Sequence, residues 1–337
     1  MSRIAIIGAG AWGTALAIVL GRKEAHSVRL WTYEADVCES IQTRRVNERF
    51  LPGFALCERI LATTELAQAL DGAEIVVSVM PSQHCRELFE RMASHLHAEM
   101  LFLSCTKGLE NGTLLRMTDV IGNVLHARRL SPRIGALSGP TFAKEVARGD
   151  PTAVTAASAD VELAQTVQQA FNDSRFRVYT NDDVIGVELG GALKNVIAIA
   201  AGICHGLGLG HNSVAALVTR GLAEITRLAV ACGGRLDTMA GLAGLGDLVL
   251  TCTGDLSRNR TVGAELGRGR KLPEIVAGMH GAVAEGIFTT RAAIGLAGKM
   301  GVEMPITEQM YAIFEESKSP QRAIDELMTR TARSETR

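Results

Sequence analysis

The chain has 337 residues, of which 47% are hydrophobic and 21% charged, so it can bury a sizeable core, and its length predicts about two domains. Basic and acidic residues nearly balance, 35 against 36, so no global electrostatic field favours nucleic acid or an anionic membrane. These values exclude disordered, collagen-like and coiled-coil proteins. The 35 glycines exceed the roughly 24 expected at average usage, and this excess needs an explanation.

Cysteine spacing and hydropathy indicate a protein of a reducing compartment. The seven cysteines lie at least 19 positions apart, and no CxxC, HxxxH or HExxH spacing occurs, so we expect free thiols, no metal site and a cytoplasmic location. The uncharged run 4–21 resembles a signal peptide, but its glycines and its change from β-branched to Ala/Leu-rich residues favour strand, turn and helix. Charges interrupt the later apolar stretches, so we expect no membrane insertion.

Short β-rich runs alternate with helical segments over the first 180 residues or so. The runs occupy residues 3–7, 28–31, 74–79, 100–104, 134–138, 152–156 and 176–179. This alternation predicts an α/β fold with an N-terminal doubly wound Rossmann-type sheet. From residue 183 onward strand signals vanish, and helical patterns over 187–204, 213–232 and 289–300 predict an all-helical C-terminal domain. We expect a dinucleotide-binding domain over 1–185, a substrate and catalytic domain over 186–330 and a frayed tail over 331–337.

The first candidate site is a GxGxxG motif directly after the first predicted strand. Gly8 permits the tight turn, Gly10 lets a diphosphate approach the backbone, and Gly13 lets helix and strand pack closely. The helix N-terminus then offers free N–H groups to the phosphates. Glu34 follows the second strand, where a ribose-binding carboxylate is expected, so the motif predicts dinucleotide binding, with a merely structural turn as the alternative.

The choice between NAD and NADP stays open. Tyr33 could stack on adenine or ribose, and Arg44 and Arg45 lie where a 2′-phosphate could be bound. All three could equally be solvated surface residues.

Two charged residues stand in strongly apolar segments. Lys194 is the only charge between residues 189 and 204, and Asp247 is alone in the run 240–250. A buried ammonium is costly unless it is paired or functional, and burial lowers its pKa toward the range useful for proton transfer. The alternatives are a lysine that reaches the surface or forms a structural ion pair, and an aspartate that caps the next helix.

Further candidates follow strands or precede helices. Lys107 and the segment 138–145 follow the strands at 100–104 and 134–138, at the sheet edge where ligands bind. The segment 257–260, Ser-Arg-Asn-Arg, combines hydroxyl, guanidinium and amide donors suited to phosphate, although a basic solvated turn is an alternative.

Five motifs, in order along the chain, establish a family resemblance. They are Lys107-Gly108, SGPTFAKE at 138–145, GGALKNVIAIAAG at 190–202, GLAGLGDLVLTCT at 241–253 and SRNR at 257–260. With them the sequence resembles the bacterial NAD(P)-dependent sn-glycerol-3-phosphate dehydrogenases over nearly its full length. The resemblance implies reversible hydride transfer between NAD(P)H and dihydroxyacetone phosphate, which gives sn-glycerol 3-phosphate for phospholipid synthesis.

The resemblance also implies a set of site residues. The family's catalytic acid/base corresponds to Lys194. Its substrate contacts correspond to Lys107, Gly139, Thr141, Lys194, Asp247, Ser257, Arg258 and Asn259. Its nucleotide contacts correspond to Ala11, Trp12, Tyr33, Lys107, Ala143, Arg258, Val283 and Glu285. The chain departs from the family pattern at Ala11, where serine is common, at Tyr33, where a basic residue or histidine is common, and at Ala284, where valine precedes Glu-Gly.

A mechanism follows from these residue types. Reducing a ketone requires a proton at the developing alkoxide, so Lys194 is the predicted donor, with Asp247 orienting it and Lys107 adding positive charge. Arg258 and its neighbours would bind the phosphate. Two alternatives remain: a dehydrogenase of the same build acting on a β-hydroxy acid or sugar acid, and a non-catalytic dinucleotide sensor. The apolar helices of the second domain lead us to expect a homodimer.

Overall fold

The computed structural model describes residues 2–279, 283–332 and 334–335, and residues 2–181 contain ten strands. In chain order they are β1 (Ser2–Ile7), β2 (His26–Trp31), β3 (Val46–Asn47), β4 (Leu51–Ala55), β5 (Ile60–Thr63), β6 (Ile75–Ser78), β7 (Leu101–Ser104), β8 (Arg133–Ser138), β9 (Thr152–Ala157) and β10 (Phe176–Asn181). Eight of them form one sheet in the order β10-β9-β8-β7-β6-β1-β2-β5. Every neighbouring pair is parallel except β8 and β9, and β3 pairs with β4 in a separate antiparallel hairpin.

Helices cover both faces of this sheet. They are α1 (Ala11–Gly21), α2 (Ala35–Arg44), α3 (Leu66–Leu70), α4 (Cys85–Met92), α5 (Met117–Ala127), α6 (Ala143–Arg148) and α7 (Val161–Phe171). Alternate residues of β1 face opposite cores: Ile4 and Ile6 pack with α1 and α7, whereas Ala5 and Ile7 pack with α4 and α5. A strand buried on both faces is a continuous apolar run, which explains why β1 is readable from the sequence.

The remaining helices form the second domain. They are α8 (Val184–Gly206), α9 (His211–Ala231), α10 (Leu236–Met239), α11 (Asp247–Thr253), α12 (Arg258–Gly267), α13 (Leu272–Ala277), α14 (Glu285–Met300), α15 (Pro305–Glu315) and α16 (Pro320–Met328). The central helix is α8, which is long and apolar enough to cross a membrane by composition, although 89% of its most apolar window is buried within the protein. The predicted fold class, a Rossmann-type sheet followed by a helical domain, is confirmed.

Part of the glycine excess is explained where α8 meets α12. A Cβ at Gly202 would collide with the carbonyl oxygen of Arg260, and a Cβ at Gly263 would collide with that of Ile199. The two helices therefore pack backbone against backbone, which only glycine allows. This close packing holds α12, and the segment before it, against the helix that carries Lys194.

All seven predicted β-rich runs are strands, within a few residues at each end. The strands β3, β4 and β5 were not predicted, because they are short and because β4 contains proline and glycine. The last strand ends at Asn181 and α8 begins at Val184. The domain limits 1–185 and 186–330 and the tail 331–337 stay predictions, and residues 333 and 336–337 of that tail lie outside the described residues.

Candidate active site

The glycines of the GxGxxG motif have the geometry that their predicted roles require. Gly8 has a φ of +121°, and a Cβ there would collide with the carbonyl of Val79, the residue directly after β6. A Cβ at Gly13 would overlap the carbonyl oxygen of Gly8, so helix and turn touch directly. A Cβ at Gly10 would meet no atom within 4 Å, which leaves open space above the turn at the N-terminus of α1.

That open space fits a nucleotide cofactor. The N–H of Gly10 forms no hydrogen bond among the described residues, and the indole Nε1 of Trp12 is buried without a partner. Ala11 and Trp12 form the first turn of α1, whose N–H groups also point toward this space. Unpartnered donors around an uncrowded turn are suited to the diphosphate of a dinucleotide.

The structure decides one of the alternatives at the adenine end of this space. The Arg45 guanidinium donates hydrogen bonds to the carbonyls of Leu56 at 3.2 Å, Ile60 at 2.7 Å and Cys57, so it holds the chain around β4 and β5 and is not free for a phosphate. Arg44 is exposed and donates to Ser40 at 3.1 Å.

The two other residues predicted at this end remain accessible. Tyr33 is 76% exposed. The Glu34 carboxylate accepts a hydrogen bond of 3.1 Å from the Thr32 hydroxyl at the end of β2. Glu34 is half-buried and its carboxylate can accept a further hydrogen bond, and the Tyr33 ring beside it is exposed.

The centre of the candidate site is an aspartate between two lysines. The Asp247 side chain is fully buried; its Oδ2 accepts from Lys107 Nζ at 2.7 Å, and its Oδ1 pairs with Lys194 Nζ. Lys194 is 7% exposed and Lys107 is 15% exposed. Lys107 also donates to the Gly139 carbonyl at 3.0 Å and to the Thr141 hydroxyl at 3.2 Å. The predicted residues 107, 139, 141, 194 and 247 therefore meet at the carboxyl ends of β7 and β8.

This arrangement changes the acidity of Lys194. Burial lowers the pKa of Lys194 to about 7; the Asp247 carboxylate opposes this shift, and the positive charge of Lys107 reinforces it. When Lys194 is protonated, two ammonium groups beside one carboxylate leave a net positive charge on these three side chains. Such a cluster can both stabilise an oxyanion and give it a proton near neutral pH.

The cluster also contains Thr251, which was not predicted from the sequence. The Thr251 hydroxyl accepts a hydrogen bond from Lys194 Nζ at 2.7 Å and donates to the Asp247 carbonyl at 2.6 Å, one turn earlier on α11. The i, i+4 spacing of 247 and 251 on a helix is the signal that could have identified it. The helix-capping alternative for Asp247 is wrong, because this residue begins α11 and its side chain caps no N–H group.

The Ser-Arg-Asn segment lies at the N-terminus of α12. The Ser257 Oγ caps the helix by accepting from Arg260 N at 3.2 Å, so its own hydroxyl proton stays free to donate. Arg258 has no hydrogen-bond or ion-pair partner among the described residues, and Glu285 is the acid that acts on its charge. The segment can therefore offer a guanidinium, a hydroxyl and helix N–H groups to one anion.

Asn259, predicted from the resemblance to contact the substrate, also holds three helices together. Its Nδ2 donates to Asn195 Oδ1 at 2.9 Å, and its Oδ1 accepts from Gly286 N at 3.1 Å. The side chain therefore joins α8, α12 and α14, and only one of its N–H bonds remains for a ligand.

The predicted cofactor contact Glu285 links the two domains. Its Oε1 accepts from Ser82 N at 3.0 Å and its Oε2 accepts from the Ser82 hydroxyl at 2.7 Å. Burial raises the pKa of Glu285. Gly108 lies against both side chains, since a Cβ there would come within 3.1 Å of the Glu285 carboxylate. Ser82, which begins a short 3-10 turn after β6, was not predicted. Val283 is half-buried just before α14, and Ala143 is half-buried at the start of α6.

Comparisons with known proteins show the family of the chain. Residues 3–164 match the family described as NAD-dependent glycerol-3-phosphate dehydrogenase N-terminus, and residues 183–325 match the corresponding C-terminus. The chain belongs to the NAD-dependent glycerol-3-phosphate dehydrogenase family. It is therefore an NAD(P)-dependent oxidoreductase, as the sequence resemblance indicated.

Individual members of the glycerol-3-phosphate dehydrogenase family are similar over the whole chain. The glycerol-3-phosphate dehydrogenase [NAD(P)+] of Koribacter versatilis is 69% identical, with 99% of each chain covered. The enzyme of the same name from Acidobacterium capsulatum is 56% identical over 99% of this chain and 100% of its own. The crystal structure of the Coxiella burnetii glycerol-3-phosphate dehydrogenase superimposes with a TM-score of 0.93 at 43% identity, covering 98% of this chain and 99% of the other.

Proposed function

We propose that the protein reversibly reduces dihydroxyacetone phosphate to sn-glycerol 3-phosphate with NAD(P)H. The observation that supports this most directly is the contact of Lys194 with Asp247 and Thr251, because it holds a lysine whose pKa is lowered to about 7 beside the second ammonium of Lys107. A ketone can be reduced there when hydride reaches its carbon and a proton reaches its oxygen.

Each residue of the cluster has a separate task in this proposal. Lys194 gives its proton to the substrate oxygen during reduction and takes it back during oxidation. Asp247 favours the protonated form of Lys194 and so keeps a proton available for donation, and Thr251 fixes the direction of the Lys194 ammonium through its hydroxyl. Lys107 lowers the energy of the negative charge that develops on the oxygen.

The phosphate of the substrate would be bound by Ser257, Arg258 and Asn259, with Gly139 and Thr141 at the opposite wall. Binding of the phosphate then orients the ketone toward Lys194. Contacts far from the reacting carbon thereby increase the rate of its reduction. Ser257 and Arg258 offer the free donors described above, and Asn259 offers its one unused N–H.

The nucleotide would lie along the turn of Gly8, Gly10 and Gly13. The residues that would surround it are Ala11, Trp12, Tyr33, Glu34, Lys107, Ala143, Arg258, Val283 and Glu285. When bound, its nicotinamide supplies or accepts the hydride. Open space above Gly10 and the unpartnered Trp12 indole support this placement. Arg45 does not select NADP over NAD, because its guanidinium is bonded to main-chain carbonyls and is not free for a 2′-phosphate.

We propose a cellular setting and an oligomeric state as well. The product would feed glycerophospholipid synthesis in the cytoplasm, and free thiols such as those of Cys105 and Cys252 are compatible with that compartment. A homodimer is supported by exposed apolar side chains on the second domain, such as Leu236 at 70% and Val249 at 41% exposure. The domain division at residues 185 and 186 is part of the same proposal.

The substrate is tested by following NAD(P)H oxidation by absorbance. Dihydroxyacetone phosphate is expected to be reduced with a far higher kcat/KM than dihydroxyacetone, 2-oxo acids or sugar acids. Equal or better rates with a keto acid would contradict the phosphate site and favour the β-hydroxy-acid alternative. Nucleotide binding without turnover of any of these compounds would favour a sensor.

The phosphate-binding role of Arg258 makes a separate prediction. Arg258→Ala is expected to raise the KM for dihydroxyacetone phosphate by about ten- to a hundredfold at saturating NAD(P)H, since a hydrogen bond to a charged group is lost. The slow reduction of dihydroxyacetone should change little. Arg260→Ala is the matched control, because that neighbouring arginine pairs with the exposed Asp255 at 2.8 Å. A similar loss for both substrates would contradict the assignment.

A further inference from the structure

A fully buried asparagine outside the predicted site set holds the nucleotide-binding turn. Asn47 lies on β3, one of the strands that the sequence did not reveal, and its exposure is 0%. Its Nδ2 donates to the carbonyl oxygen of Ala9 at 2.8 Å and to the Thr14 hydroxyl oxygen at 2.8 Å, and its Oδ1 accepts from Phe50 N at 3.0 Å. These partners use both N–H bonds of the amide and fix its orientation.

The Ala9 carbonyl is held twice. Besides Asn47, the Thr14 hydroxyl donates to it at 3.2 Å from the first turns of α1. No cis peptide bond occurs in the described chain, so the Ala9 carbonyl and the Gly10 N–H point in opposite directions from one planar unit. Fixing the carbonyl toward Asn47 and Thr14 therefore aims the Gly10 N–H in the opposite direction, where no described residue accepts a hydrogen bond from it.

We propose that Asn47 is a positioning residue for the cofactor's diphosphate. It acts by locking the peptide between Ala9 and Gly10 so that the Gly10 N–H is aimed before the nucleotide arrives. A donor that is already oriented loses little freedom on binding, and this increases affinity. The inference rests on the proposed placement of the nucleotide over Gly8, Gly10 and Gly13.

Asn47 also bonds to the hairpin of β3 and β4, so a second route to the nucleotide has to be separated experimentally. Through Phe50 N, loss of Asn47 could displace the hairpin and disturb binding of the adenine end. The two routes differ in the ligand group they affect. Loss of the oriented N–H weakens only ligands that carry phosphates, whereas displacement of the hairpin also weakens a nucleoside without them.

The test compares Asn47→Ala and Thr14→Val with the unmodified enzyme. NADH affinity is measured by fluorescence titration, and ADP and adenosine are measured as competitors of NADH. We expect Asn47→Ala to weaken NADH and ADP by about tenfold or more, with adenosine unchanged within about twofold and kcat at saturating NADH retained. Thr14→Val removes one of the two hydrogen bonds to the Ala9 carbonyl and one acceptor of the Asn47 amide, but it leaves the bond from Asn47 to Ala9. It should therefore weaken the same two ligands by a smaller factor, and it keeps the test decisive if Asn47→Ala does not fold.

Two controls separate the possible failures. Asn172→Ala removes an asparagine that accepts from Val178 N at 2.6 Å on the distant edge strand, and it should leave NADH affinity unchanged. Gly10→Val places a side chain in the open space without strain in its own surroundings and should abolish NADH binding. Normal binding by Gly10→Val would overturn the nucleotide placement itself. Two other outcomes would overturn only the role of Asn47. One is weak NADH binding by Gly10→Val while Asn47→Ala and Thr14→Val bind NADH normally. The other is an equal loss of ADP and adenosine affinity in Asn47→Ala.

Discussion

Replacing Lys194 by alanine is expected to lower kcat for reduction of dihydroxyacetone phosphate by about 10²–10⁴-fold. The physical reason is that the ketone oxygen then has no positioned group to donate its proton, and general acid catalysis contributes about that much. NADH affinity should be unchanged, because Lys194 contacts Asp247 and Thr251 and is not among the residues proposed to surround the nucleotide. Steady-state rates and fluorescence titration of NADH measure the two effects.

Two further variants make this result interpretable. Lys194→Met retains the length of the buried stem, so a loss of rate shared with Lys194→Ala cannot be attributed to a cavity. Lys299→Ala, an exposed lysine of α14, should behave as the unmodified enzyme. If either substitution of Lys194 kept kcat within a few fold, the proton would have to come from another group and the proposed mechanism would be wrong.

The second large effect is expected at Asp247. Asp247→Asn keeps the shape of the side chain but removes the negative charge between Lys107 and Lys194. Because that charge raises the pKa of Lys194 against the effect of burial, its loss should move the pKa of Lys194 below about 7. At neutral pH the lysine would be mostly uncharged, so reduction slows by about tenfold or more, and part of the rate returns as the pH is lowered.

Stability should change in the same variant. Removing one member of a buried ion pair typically costs about 3–5 kcal/mol, here moderated because Lys194 can release its proton. Thermal unfolding measures this loss. Asp255→Asn is the matched control, since Asp255 is 94% exposed and pairs only at the surface with Arg260. If the rate of reduction changed at the same pH in Asp247→Asn as in the unmodified enzyme, Asp247 would not set the pKa of Lys194.

The fold was largely predictable because its main strands are buried on both faces. Over residues 4–7 of β1, Ile4 and Ile6 face one side and Ala5 and Ile7 face the other, so no polar residue interrupts this run in the sequence. The strand β4 was missed because Pro52 and Gly53 are typical of turns. The reversal of β9 relative to β8 is a property of the connection through α6, and strand composition does not reveal it.

The charged centre of the site was predictable for a related reason, and its polar surroundings were not. Lys194 and Asp247 stand out because a single charge in an apolar segment requires a partner. Thr251 and Ser82 carry no such signal, since a buried hydroxyl on a helix or loop is common and its partner is visible only in three dimensions. The same limitation applies to Asn259, whose side chain is mostly used to join three helices.

The proton-donating role of Lys194 is tested most directly by the pH dependence of kcat/KM for reduction, measured between about pH 5.5 and 9. With a lysine pKa of about 7, the rate should be nearly constant at low pH and fall about tenfold per pH unit above neutrality, while oxidation of sn-glycerol 3-phosphate rises over the same range. Lys194→Ala should lack this inflection in its residual activity. A profile that is flat through pH 7 in the unmodified enzyme, or an inflection that survives in Lys194→Ala, would contradict the mechanism.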